Sequence, residues 1–238
     1  MIIIPTLDER TTELWKALIE LAGERSQGWT LVGAQMVFLH ALEHGEEPLR
    51  SSVDLDVVVN VRLMPKGIAS FGRTLEELGY EFDGANVAGI GHRFVRGPVR
   101  IDLLAPDGLG EKTDVLTVAG ARTVMVPGGS QALRRTELLE IGVGGNTGKV
   151  RRPNLLGAIL LKARAVEVDD VPDDQREELC FLTSLIRDPI EMASELSSPE
   201  KRWLRRRQEL LDPTHPAWRR IRAPEDGRLA MRILIGAE

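Results

Sequence analysis

Arg50-Ser51-Ser52-Val53-Asp54-Leu55-Asp56-Val57-Val58-Val59 decides how this chain is read. The run passes from polar to acidic to β-branched, and Val57, Val58 and Val59 favour a strand. A strand places residues i and i+2 on one face, so Asp54 and Asp56 point the same way, roughly 7 Å apart at the backbone. Two carboxylates on the edge of a buried strand repel each other and are costly without a compensating cation. Mg²⁺ suits them, because it takes hard oxygen ligands and is commonly held by one or two carboxylates together with phosphate oxygens. The bland alternative is a pair of solvated acids beside a loop.

Working outward, Trp29 to Val32 reads as a short strand broken at Gly33, and residues 34–44 read as a helix. A small-residue turn at Gly33-Ala34 lets a phosphate approach the amides of a helix N-terminus. Downstream, 66–79 reads as a helix, 80–82 and 93–95 as strands, and 99–104 as a strand carrying a third acid, Asp102. Asp102 can complete a second metal site or act as a base. It can equally be a strand-edge acid paired with Arg100 or Arg93. Upstream, 8–25 is an amphipathic helix. The tract 105–150 is mixed, with short strands expected near 115–118, 122–126, 137–141 and 148–151.

From Pro153 onward the pattern turns helical, with helices expected from Pro153, at 174–186, 189–196, 199–211 and 224–236. The expected organisation is an α/β core over 1–150 and a helical domain over 151–238. Leu155, Ile159, Lys162 and Val166 share one helical face. An ammonium in that apolar stripe needs a partner, unless its stem is buried and its head reaches water.

The chain has 238 residues, a net charge of −5 and one cysteine. That charge predicts no general affinity for nucleic acid, but it is uneven: segment 201–222 carries +6, leaving −11 elsewhere. Lys201-Arg202-Trp203-Leu204-Arg205-Arg206-Arg207 mixes charge with an aromatic face, as RNA contacts do, or is a solvated helix face. Cys180 lies in an apolar run and reads as core packing. The absence of a disulfide fits a reducing cytoplasm, and no apolar run approaches a membrane span. Gly144-Gly145-Asn146-Thr147-Gly148-Lys149 is not a phosphate-binding loop: the first glycine and the final Ser/Thr of that motif are missing. It reads as a turn.

Taken together, Leu31-Val32-Gly33-Ala34, Ser52-x-Asp54-x-Asp56 and Asp102 on a later strand resemble the polymerase-β-like nucleotidyltransferase superfamily. With His92-Arg93-Phe94 and Leu160-Leu161-Lys162-Ala163-Arg164-Ala165 added, the chain looks most like the AbiEii-type nucleotidyltransferases, the toxins of bacterial toxin–antitoxin pairs. The likeness spans roughly residues 28–185. It implies an α+β fold, with a mixed sheet and flanking helices followed by a helical half. It also implies transfer of a nucleoside monophosphate from an NTP, with Mg²⁺ or Mn²⁺, to an acceptor such as a tRNA 3′ end. A cognate antitoxin is then a possible partner.

Under that resemblance Asp54, Asp56 and Asp102 hold metal. Gly33, Ala34, Ser52, Arg93 and Lys162 contact nucleotide, with Lys162 also in the catalytic set. The acidic role after the lysine falls to Asp174, with Glu178 close behind. Two departures stand out. Ala34 replaces the family's Gly or Ser, and Asp173-Asp174-Gln175-Arg176-Glu177-Glu178 replaces its usual acidic motif. A small-molecule nucleotidyltransferase of the lincosamide or aminoglycoside type, or a non-catalytic binding protein on the same fold, are the alternatives.

Overall fold

The computed structural model describes the whole chain apart from residues 7, 51, 118, 119 and 238. It divides into two compact units, Met1–Pro153 and Asn154–Glu238.

The first unit is built on a mixed sheet. Its strands are β2 (Trp29–Val32), β3 (Asp54–Val59), β4 (Glu81–Phe82), β5 (Arg93–Arg96), β6 (Val99–Pro106) and β7 (Met125–Val126). They run in the order β2-β3-β6-β5-β4, with β7 paired to the end of β6. The central pair β3 and β6 is parallel, while β2, β5 and β4 add antiparallel neighbours. A parallel pair needs a crossover, and here the chain makes it through α3 (Gly67–Glu77) and the β4–β5 pair. The valines of β3 are fully buried, as expected of a central strand covered on both faces.

Helix α1 (Glu9–Glu24) starts where the Asp8 side chain accepts a hydrogen bond from the Thr11 amide, and it buries Leu14, Trp15, Leu18 and Leu21. Helix α2 (Gly33–His44) follows β2 with no intervening loop.

A second, three-stranded sheet joins β1 (Ile2–Ile3) to a hairpin of β8 (Thr136–Val143) and β9 (Asn146–Pro153). Gly144 and Gly145 form its turn, at φ 52° and 81°. Two consecutive positive φ angles are what a tight two-residue hairpin requires, and glycine adopts them without strain. The Gly-rich segment is therefore a turn, as its spacing predicts.

The tract 105–150 departs most from its sequence reading. The hairpin strands are each eight residues long, longer than the short strands expected there. Gly129–Arg134 forms a helix, α4, where none is expected. Asp107 explains it locally: its carboxylate accepts from the amides of Gly128 and Ser130 and so holds the helix start.

The second unit contains α5 (Leu155–Ala165), α6 (Pro172–Ser184), α7 (Pro189–Ser194), α8 (Ser198–Arg205) and α9 (Pro224–Ile235), with 3₁₀ turns at Gln208–Leu211 and Pro216–Trp218. Helix α5 begins after Pro153 rather than at it, because Asn154 is the cap and accepts from the Gly157 amide. Helix α6 packs against both α5 and α9. Cys180 lies buried on α6, and burial pushes its thiol pKa well up, so it is a packing residue. Among the described residues no helix is long and apolar enough to cross a membrane.

Candidate functional site

The acids of the first unit fall into register. Val32 on β2 pairs with Asp56 on β3, Asp56 pairs with Asp102 on β6, and Asp102 pairs with Arg93 on β5. Residues directly opposite one another across a sheet share a face, so this row lines up side chains from four strands on one side. The next aligned row on that face contains Asp54 and Arg100. Two acids spaced i, i+2 and a third from a neighbouring strand therefore share one sheet face, as the alternation along β3 predicts.

Gly33 permits the approach of Asp56. It has φ +71°, and a Cβ built on it would fall 2.0 Å from Asp56 Oδ2. The Asp56 carboxylate thus rests against the first residue of α2. Val32 offers that helix no side-chain cap, and the positive end of the helix dipole favours an anion there. The small-residue turn is structurally required, but its immediate guest is Asp56. Ala34 follows as the second residue of α2, half-buried.

The loop before β3 is held from two sides. Gln35, buried on α2, donates from Nε2 to the Ser52 carbonyl at 2.6 Å. The Ser52 hydroxyl accepts from the Asp54 amide at 3.3 Å. Ser52 thus shapes the turn that delivers Asp54. Gln35 has no signature in the sequence beyond its place two residues after the glycine.

The cluster carries its own cations. Arg93 grips Asp102 with both arms of its fork, Nε to Oδ1 and Nη2 to Oδ2, each at 2.9 Å. The same Nη2 stands 3.9 Å from Asp54 Oδ2, and Arg100 stands 3.9 Å from Asp54 Oδ1. Hydrogen bonding to Asp102 raises the Arg93 pKa further above its already high value. His92, outside the expected site, brings Nε2 to 3.6 Å from Asp102 Oδ2.

The donor set suits a hard divalent ion such as Mg²⁺. Asp54 Oδ1 is buried and accepts no hydrogen bond among the described residues, leaving a lone pair of the kind such an ion uses. Asp54 and Asp56 would hold the ion, and it would supply charge neutralisation at phosphate oxygens.

Lys162 and Asp174 belong to the second unit. Lys162 is 3% exposed and its ammonium is already matched: Glu178, 2% exposed, stands at 2.5 Å, and Gln175 Oε1 accepts from it at 2.9 Å. Gln175 in turn donates to Asp169. The acid that meets the lysine is Glu178, one helical turn beyond Asp174. Asp174 instead lines a 250 Å³ pocket with Asp173, Glu177 and His215.

A second group of potential metal ligands, His40, Glu43 and His44 on α2, has ligand atoms within 4.8 Å of one another. A cation is already resident there. Arg152, with no exposed side-chain surface, is paired to Glu43 and contacts the His40 ring, and Glu137 lies 3.3 Å away. The His40 Nε2 faces the Pro153 carbonyl at 3.1 Å. A 460 Å³ cavity lined by Trp29, Asn60 and Met64 sits at the opposite end of β2 and β3 from the acids.

No family model and no curated protein sequence matches the chain. The solution structure of the antibiotic-resistance factor ANT(2″)-Ia aligns over 86% of this chain and 96% of its own at 16% identity and a TM-score of 0.42. The crystal structure of ANT(2″)-Ia with adenylyl-2″-tobramycin covers 93% and 96% at 17% identity and a TM-score of 0.40. The crystal structure of an antigenic nucleotidyltransferase-like protein from Paracoccidioides brasiliensis aligns over 85% of this chain and 88% of that one, at 11% identity and a TM-score of 0.50, and this chain shares its mixed α+β, nucleotidyltransferase-like fold.

Proposed function

We propose that the chain is a metal-dependent nucleotidyltransferase that moves a nucleoside monophosphate from an NTP to an acceptor hydroxyl. One observation carries the reading: Asp54, Asp56 and Asp102 share one sheet face, with Asp56 against the start of α2, on a nucleotidyltransferase-like fold. The acceptor oxygen bonds to the α-phosphorus as the bond from that phosphorus to the pyrophosphate oxygen breaks. Pyrophosphate carries away the electron pair, and the acceptor's proton passes to a carboxylate of the cluster. Asp54 and Asp56 would hold a divalent ion, which would supply the charge neutralisation this needs. Arg93 and Arg100 add fixed positive charge beside the acids.

For the acceptor we propose a tRNA 3′ end, and for the biological role the toxin of a toxin–antitoxin pair. The sequence resemblance and segment 201–222 support this. Part of that segment's charge is spent internally, since Arg206 and Arg207 face Glu167, and Arg220 faces Glu177. Arg202 and Arg219 are exposed and make no ion pair among the described residues, so they are the contacts to test.

The test is transfer of label from each NTP in turn, with Mg²⁺ and total tRNA, beside Asp56→Ala. Label on tRNA that disappears in the variant is the expected result. NTP turnover without labelled tRNA would redirect the search to a small-molecule or protein acceptor. Absence of NTP binding would leave a non-catalytic binding protein.

A further inference from the structure

We propose that Arg93 stands in for a second metal ion, so that this centre binds one divalent cation, on Asp54 and Asp56, and Asp102 is not a metal ligand. The inference rests on the reading of the acid cluster as a metal centre and specifies its stoichiometry.

Three observations lead there. The first is the use of the Asp102 oxygens. Both are engaged by Arg93, each in a 2.9 Å hydrogen bond. A forked guanidinium–carboxylate pair has the geometry that arginine, and not lysine, is shaped to make. A metal ion at Asp102 would have to share an oxygen that already accepts from Arg93, with the guanidinium's positive charge beside it.

The second is position. Arg93 Nη2 lies between Asp102 Oδ2 at 2.9 Å and Asp54 Oδ2 at 3.9 Å. One nitrogen thus faces carboxylates from two strands, as a bridging cation does. The strand register places it there: Arg93 is directly opposite Asp102, which is directly opposite Asp56. The guanidinium keeps its charge at any working pH, so this cation is permanent.

The third is charge. Two permanent positive charges, on Arg93 and Arg100, already stand 3.9 Å from the Asp54 carboxylate. One divalent ion adds two more. A second would add two further positive charges to a site already holding two arginines, with like charges a few ångströms apart. Asp54 Oδ1, buried, accepting no hydrogen bond among the described residues and 3.9 Å from Arg100, is an acceptor that a single ion would use.

The experiment counts bound Mn²⁺ on the full-length protein by electron paramagnetic resonance of the free ion, checked by equilibrium dialysis, with Mn²⁺ alone as the probe. The expected result is one Mn²⁺ per chain for the wild type, lost in the Asp54→Ala/Asp56→Ala double variant. Asp102→Asn is expected to keep one ion with less than a threefold change in affinity. Arg93→Met, which frees Asp102, is expected to bind a second ion. Should Arg93→Met not fold, the Asp102→Asn comparison decides by itself. Two ions on the wild type, falling to one in Asp102→Asn, would overturn the inference and leave the metal-centre reading standing. No Mn²⁺ bound by the wild type would overturn both.

Discussion

The carboxylate of Asp56 occupies the space that a side chain on Gly33 would need: a Cβ there would fall 2.0 Å from Oδ2. The two residues are neighbours across the β2–β3 junction, where Val32 pairs with Asp56 and the chain turns at once into α2. The glycine thus links the strand-borne acid to the helix start, and its backbone φ of +71° is one that side chains resist.

Gly33→Ala therefore carries two costs. The positive φ costs about 1 kcal/mol, and the collision with Asp56 adds roughly 1–3 kcal/mol. Gly45 is the control, because it has φ +72° and a Cβ added there would meet nothing within 4 Å. Gly45→Ala is expected to lose only the first amount. Urea melts of both variants measure the difference. Adding Asp56→Ala to Gly33→Ala should recover most of the excess, and equal losses at residues 33 and 45 would refute the collision.

Gln35 acts on the site through Ser52. Its amide is buried and holds the Ser52 carbonyl, while the Ser52 hydroxyl receives the Asp54 amide. Gln35→Met keeps the volume and removes the bond, at about 1 kcal/mol of stability. Mn²⁺ affinity is expected to drop severalfold because Asp54 loses its fixed approach. Isothermal titration with Mn²⁺ checks this, and unchanged affinity would confine Gln35 to a packing role.

The acid pair was legible in the sequence because strand alternation is strictly two-residue. Asp54-x-Asp56 followed by three valines reads as a strand with both acids on one face, and β3 is that strand. Gly33 was legible for a similar reason, as a small residue between an apolar strand and an apolar helix. What sequence patterning does not contain is register. That Arg93 pairs with Asp102 was one of two open alternatives, and the choice depends on a β5–β6 alignment made over a tight turn at Gly97. Helix α4 has no local signature because its start is fixed by Asp107, more than twenty residues away. Likewise, the buried contact of Arg152 with His40 joins positions 112 residues apart. Lys162 lay between these extremes. Its place in an apolar stripe announced that a partner was needed, and α6 supplies it as Glu178.

Lys162 and Glu178 form a nearly dry ion pair, and such pairs respond asymmetrically to mutation. Removing one member leaves an uncompensated buried charge, at about 3–5 kcal/mol. Replacing both by apolar residues of similar size is close to neutral. Lys162→Met is therefore expected to be severely destabilised, and Lys162→Met/Glu178→Leu to recover most of the loss in chemical denaturation. A nucleotide-binding role for Lys162 makes a separate demand: the stable double variant must still show weakened NTP binding. Full NTP affinity in that variant would make the lysine purely structural.

His40 makes stability depend on pH in a direction that can be worked out. Burial first, and then the neighbouring Arg152 charge, push its pKa well below the usual 6.5. In the folded protein the ring stays neutral as pH falls through 6.5, while in the unfolded chain it takes up a proton. The unfolded state then binds more protons, so stability falls as pH falls, by up to about 1.4 kcal/mol per pH unit below roughly 6.5. Above that value the ring is neutral in both states and contributes no slope. Glu137, whose carboxyl pKa burial raises, acts in the opposite sense at lower pH, so the window from about pH 7.5 to 5.5 isolates the histidine. Urea midpoints measured across that window should decline below roughly pH 6.5 in the wild type and decline less in His40→Gln. Parallel profiles for the two proteins would mean that His40 is protonated in the fold, with Arg152 displaced from its ring.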